Sequence, residues 1–151
     1  MNFKNIRGED ISISDIAKLI SKDYDYTEYV GTDSQVHRDK KSVLYATCIV
    51  LYRKGKGGTM YISKNFEPHI SSLRQRLTKE VWKSLDTSFN LLKFLPKNTE
   101  IVVHIDSNKS RKHKSGNYTE ELVGMVVGQG FKYKIKPDAW AAQSVADRFS
   151  K

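Results

Sequence analysis

Three aspartates in this sequence stand where a carboxylate is costly unless it has something to hold. Asp33 closes the run Val30-Gly31-Thr32-Asp33, Asp106 ends the apolar segment that starts at Ile101, and Asp138 follows Pro137. Carboxylate oxygens are hard donors suited to Mg²⁺ or Mn²⁺, and an ionised aspartate at the end of a core strand needs a partner or a cation. Each has a plainer account taken singly. Asp33 is an ordinary turn former, Asp106 before Ser107-Asn108 starts a turn, and Asp138 caps a helix. Convergence of the three at strand ends is what points to metal chemistry.

The elements that must position them follow from periodicity. Ile16, Leu19 and Ile20 recur at helical spacing over Asp15–Ser21, with Ser12 and Asp15 arranged as a capping box. Tyr29 to Asp33 reads as a strand. Val43 to Tyr52 is apolar on both parities, which predicts a strand covered on both faces. After the glycine-rich turn Arg53-Lys54-Gly55-Lys56-Gly57-Gly58, a third strand begins at Met60 and completes an antiparallel meander. A long helix spans roughly Ser71 to Phe94, because Leu73, Leu77, Val81 and Leu85 step by four. Pro96 and Asn98 stop it.

Ile101 to Asp106 is the strongest strand signal and therefore central. A polar, basic loop covers 107–117, then a helix covers Thr119 to Val127 with Asn117 as its cap. Phe131 to Lys136 is a short strand, and Ala139 to Phe149 a last helix. A right-handed crossover through the long helix lays the Ile101 strand parallel to the Tyr29 strand. That connectivity alone brings Asp33 and Asp106 near each other.

Charge narrows the partner. With 26 Lys plus Arg against 17 Asp plus Glu in 151 residues, the net charge is +9 and the pI near 9.6. A polyanion is expected, nucleic acid before an anionic membrane surface. No acid occurs from Lys40 through Phe66. Arg53, Lys54 and Lys56 in the turn, Arg74 on the long helix, and Lys109, Arg111, Lys112 and Lys114 in the loop are the candidate phosphate contacts. A solvated charged face is the bland alternative. Cys48 is the only cysteine, which excludes a disulfide within the chain and a cysteine zinc knuckle; its place in an apolar run predicts burial. The longest apolar stretch, Val43 to Tyr52, is too short to span a bilayer, and the amino terminus lacks a signal peptide's apolar centre. A single cytoplasmic domain over 1–151 is expected. His104 shares strand parity with Asp106 but reads best as a core histidine, and His37 and His69 read as surface residues.

The blocks Val30-Gly31-Thr32-Asp33-Ser34-Gln35, His104-Ile105-Asp106 and Ile135-Lys136-Pro137-Asp138 resemble the YkuK-like family of predicted nucleases in the ribonuclease H-like superfamily. So do Leu122 to Gly128 and Val145-Ala146-Asp147-Arg148. The resemblance implies an α/β fold with a five-stranded mixed sheet, order 3-2-1-4-5, flanked by helices. It implies a two-metal phosphodiesterase site in which Asp33 bridges two ions and Asp106 binds one. A glutamate from the long helix is usual in that superfamily, and Glu80 beside Val81 matches it; pairing with Lys79 or Lys83 is its plainer role. The last acid is Asp138 or Asp147. Asp147 lies about two and a half turns beyond Asp138, which favours Asp138. The family's loop after the fourth strand is expected to be shorter and glycine-rich, whereas this chain carries four basic residues and His113 there.

The expectation is therefore a Mg²⁺- or Mn²⁺-dependent nuclease acting on RNA, an RNA–DNA hybrid or structured DNA. Ser34 and Gln35 would orient a phosphate or a water. The alternative is a catalytically inactive nucleic-acid-binding protein on the same fold. A junction resolvase, which would dimerise, is a third reading.

Overall fold

In the computed structural model the described residues are 2–21, 26–37, 39, 41–53, 55, 57–108 and 118–136. In chain order the elements are β1 (Phe3–Lys4), β2 (Asp10–Ile11), α1 (Ile13–Ser21), β3 (Tyr26–Val36), β4 (Ser42–Arg53) and β5 (Gly57–Pro68). There follow α2 (Leu73–Leu92), β6 (Ile101–Asn108), α3 (Thr119–Gly128) and β7 (Lys132–Lys136). The final helix expected over Ala139–Phe149, and the expected cap Asn117, lie outside the described residues.

One mixed sheet runs β2-β1-β5-β4-β3-β6-β7. Its inner part, β5-β4-β3-β6-β7, is the expected order 3-2-1-4-5. The sheet has seven strands, however, not five. The N-terminal residues form a short ribbon that joins the β5 edge through Lys4 and Ile62. Two-residue strands carry no readable alternation, so periodicity could not report them. Their turn is built locally: Asn5 Oδ1 accepts from the N–H groups of Arg7 and Glu9, both at 3.0 Å, and Gly8 supplies a φ of +81°.

β3 and β4 pair antiparallel from Tyr26↔Arg53 to Val36↔Val43, and β4 pairs antiparallel with β5. Across α2, β6 returns parallel to β3, as the crossover rule requires. Ser12 caps α1 by accepting from Asp15 N–H at 3.1 Å, and Ser72 caps α2 by accepting from Gln75 N–H at 3.3 Å.

Burial explains the doubly apolar pattern of β4. On one face Ile49 and Leu51 join Val30, Val103, Ile105 and the α2 residues Leu77, Val81, Leu85 and Leu91 in the main core. On the other, Ala46, Cys48, Val50 and Ile62 form a second buried cluster with Tyr29 packed against it. Cys48 is a buried free thiol, as its surroundings predicted.

Candidate metal centre

The site lies where two parallel strands part. Pairing between β3 and β6 runs from Glu28↔Ile101 to Gly31↔His104 and stops, while β3 continues beside β4 to Val36. Asp33 is thus inside a strand rather than at its end, but it lies past the last bond to β6. Asp33 and Asp106 are each two residues beyond that final pair, so they share parity and level across an opened seam. On its other side β6 bulges: Ile105 pairs with Ile135, and the next pair is Asn108 with Lys136. Three steps on β6 therefore match one on β7, which leaves Asp106 and Ser107 out of the ladder and re-aims them. Ser107 and Thr119 hydroxyls, 2.6 Å apart and buried, tie this bulge to the start of α3.

Glu80 arrives from α2 by a matched spacing. Ser84 Oγ lies 2.7 Å from Thr32 Oγ1, and Ser34 Oγ donates to Glu80 Oε2 at 2.5 Å. Four helical residues advance about 6 Å, and two strand residues about 6.6 Å. Ser84 and Glu80 therefore dock on Thr32 and Ser34 like teeth of equal pitch. Thr47 Oγ1, 3.1 Å from Thr32 Oγ1, extends the hydroxyl network to β4. The outcome is that one carboxylate oxygen each from Asp33, Glu80 and Asp106 lie within 4.8 Å of one another. Glu80 does not pair with Lys79 or Lys83; both ammoniums bind Glu67 on β5 instead.

The cluster is electrostatically tense. Burial, then a hydrogen bond and repulsion from Asp106, push the Asp33 carboxyl up to about 8, although the Ser34 N–H at 2.9 Å and Lys136 oppose the shift. Burial and then the Asp106 and Asp33 charges hold Glu80 well above the usual carboxylate range, against its Ser34 hydrogen bond and Arg76. Lys136 Nζ reaches Asp106 Oδ1 at 2.5 Å. Burial disfavours that ammonium, but Asp106, Asp33 and Glu80 together raise its pKa.

These residues fit a divalent cation. All three donors are carboxylates, the hard oxygen set Mg²⁺ and Mn²⁺ prefer. Glu80 Oε1 is buried and has no hydrogen-bond partner among the described residues, while Oε2 is fixed by Ser34. A buried carboxylate oxygen left without a donor is costly, and a cation would satisfy it. Burial raises the proton affinity of Asp33 and Glu80, so a cation among them would relieve a charge that burial disfavours.

The remaining predicted residues are distributed differently. Arg74 forks onto Glu121 of α3 in an exposed ion pair, with Nη2–Oε1 at 2.7 Å. Arg53 lies over the Tyr26 ring at 5.6 Å, at the opposite end of β3. Seven strand residues, about 23 Å, separate that level from Asp33. His104 is buried opposite Gly31, its ring 4.8 Å from that of Tyr29, and burial followed by Lys134 lowers its pKa to about 4. It is a core residue. His37 and His69 are exposed. Asp138, Asp147, Lys54, Lys56, Lys109, Arg111, Lys112 and Lys114 lie outside the described residues. Lys136 and the Thr32–Ser84 contact went unread in the sequence. A signal for the second existed: buried-side hydroxyls at positions 80+4 and 34−2 of two apolar elements.

An α/β sheet of this order, with carboxylates at the seam of two parallel strands and a glutamate from the crossover helix, defines a ribonuclease H-like fold. The chain matches the family model described as Ribonuclease H-like over residues 12–151 and belongs to that family. It is similar to a curated relative, "Uncharacterized protein YkuK" of Bacillus subtilis (strain 168). The two are 29% identical over 139 residues, covering 83% of this chain and 80% of the relative. No solved structure matches the chain. No helix among the described residues is long and apolar enough to cross a membrane.

Proposed function

We propose that this protein is a divalent-metal-dependent nuclease that hydrolyses phosphodiester bonds of RNA, an RNA–DNA hybrid or structured DNA. The observation that carries the reading is the convergence of Asp33, Glu80 and Asp106 from three elements, with one buried Glu80 oxygen that has no hydrogen-bond partner among the described residues. Bound there, divalent metal would supply an activated water and stabilisation of the leaving oxygen, by the two-metal route in the form proposed here. The protein's own part is positional. Asp33, Asp106 and Glu80 would hold the metal, with Asp33 in the bridging role that the family resemblance implies. Ser34 fixes Glu80 through Oε2 and so aims Oε1. Asp138 is the proposed fourth acid, with Asp147 the alternative.

Nucleic acid is the proposed partner because the +9 chain brings three of its 17 acids together at this notch and leaves residues 40–66 acid-free. Lys64 pairs with Ala46, which pairs with Asp33, so a basic residue stands on the row of the site two strands away. Phosphate contacts from Arg53, Lys54, Lys56, Arg74, Lys109, Arg111, Lys112 and Lys114 belong to the same proposal, and Arg74 would first have to leave Glu121. Mg²⁺ or Mn²⁺ is the proposed cofactor, and the cytoplasm the proposed location.

Labelled single strands, duplexes, hybrids and four-way junctions incubated with Mn²⁺, Mg²⁺ or EDTA test the activity. Cleavage with metal and none with EDTA is expected. Binding without cleavage under every condition would replace the enzyme with a binding protein.

A further inference from the structure

The carboxylate notch already contains a cation of its own. Lys136 is the last residue of β7 and pairs with Asn108 across the β6 bulge. Its ammonium crosses the bulge to Asp106 Oδ1 at 2.5 Å, with the lysine side chain 34% and the aspartate side chain 18% exposed. Asp33 and Glu80 lie close enough to add to its field. Lysine is a compact, strongly hydrated charge on a flexible stem, and it holds one such place only while nothing of higher charge takes it. The stem is one-third exposed, so the ammonium has a solvent side to move to.

We propose that Lys136 is a resident counter-ion that competes with divalent metal for Asp106, so that metal entry displaces its ammonium from Oδ1. This rests on the metal-dependent reading above. Two properties follow. Without metal, Lys136 offsets repulsion among three crowded acids. With metal, the affinity observed is what remains after the lysine has been displaced, so Lys136 sets the cation concentration at which the site fills. A lysine whose role was to hold substrate phosphate, or to pack, would leave metal affinity unmoved.

Isothermal titration of Mn²⁺ into the whole chain, without nucleic acid, separates the cases. Lys136→Met keeps the stem and removes the charge; it should bind Mn²⁺ at least about 10-fold more tightly than the parent, a typical size for coupling between two ligands. Lys136→Arg, which retains the charge, should stay near the parent. In an Asp106→Asn background the gain from Lys136→Met should vanish. Equal or weaker Mn²⁺ binding by Lys136→Met overturns the proposal while leaving the metal site standing. Failure of both parent and Lys136→Met to bind Mn²⁺ overturns the metal reading itself.

Should Lys136→Met not fold, the parent protein still decides. Its Lys136 side-chain ammonium resonance, held in the ion pair, should shift as Mg²⁺ is added, with the midpoint of the binding isotherm. A resonance that stays put while Mg²⁺ binds contradicts displacement.

Discussion

Two glutamates are buried among the described residues, and they differ in company. Glu28, 5% exposed, lies near the start of β3; Glu80, 4% exposed, meets the same strand at Ser34, six residues on and about 20 Å away. Burial pushes Glu28 up to about 7, with no neighbouring charge contributing to the rise. Glu80 is held well above the usual carboxylate range by burial and by two aspartates, and it carries one fixed oxygen and one with no hydrogen-bond partner among the described residues. Burial alone makes an acid a cost to stability. Burial beside two more carboxylates, on an element whose hydroxyls set its register, makes a group that could hold a metal.

The largest effect expected is at the centre of the crowded end. Asp33→Asn should reduce metal-dependent cleavage to background while the protein stays folded, because it removes a ligand charge without changing shape. Retained cleavage of a labelled strand would remove Asp33 from the site. Next, Glu80→Gln should abolish measurable Mn²⁺ binding by calorimetry and leave thermal stability unchanged or higher, since it relieves buried repulsion. Lower stability with unchanged Mn²⁺ affinity would make Glu80 structural, like Glu28.

Ser34→Ala tests the support rather than the ligand. Freed of its hydrogen bond, Glu80 should bind metal about 10- to 100-fold more weakly, read by the same titration. An unchanged affinity would mean that helix packing alone aims the carboxylate. The smallest effect belongs to the lone acid. The native state holds a proton on Glu28 up to about pH 7, whereas the unfolded chain releases it near 4.5. The native state then binds more protons between those values, so this residue's contribution falls as pH rises through the window. Glu28→Gln should match the parent near pH 4 and melt a few degrees higher near pH 8, with Mn²⁺ affinity unaltered. A stability gain that was equal at both pH values would refute the titration.

Much of the site was legible because it depends on connectivity and on misplaced charge. Asp33 and Asp106 announced themselves as acids within apolar strands, and one right-handed crossover was enough to join them. Glu80 needed the family resemblance, because a helix acid flanked by lysines has an ordinary alternative. Glu67, distant in sequence, takes Lys79 and Lys83 and so decides the matter. The two extra strands escaped because Phe3–Lys4 and Asp10–Ile11 are too short to show period two. Asp33 was read as a strand end because the polar stretch Ser34-Gln35 looks like a turn; β4 pairing carries the strand through it. Lys136 was unreadable for a different reason. Its role comes from a bulge in the neighbouring strand, and a bulge is a property of the pairing, not of either sequence.

The central claim is that the three carboxylates hold metal. Crystals grown with Mn²⁺ and measured for anomalous scattering test it most directly. The account predicts a peak in the seam between β3 and β6, at coordination distance from Asp33, Asp106 and the Glu80 Oε1 atom. A structure with Mn²⁺ bound elsewhere, or one whose seam carries no anomalous signal, would contradict it.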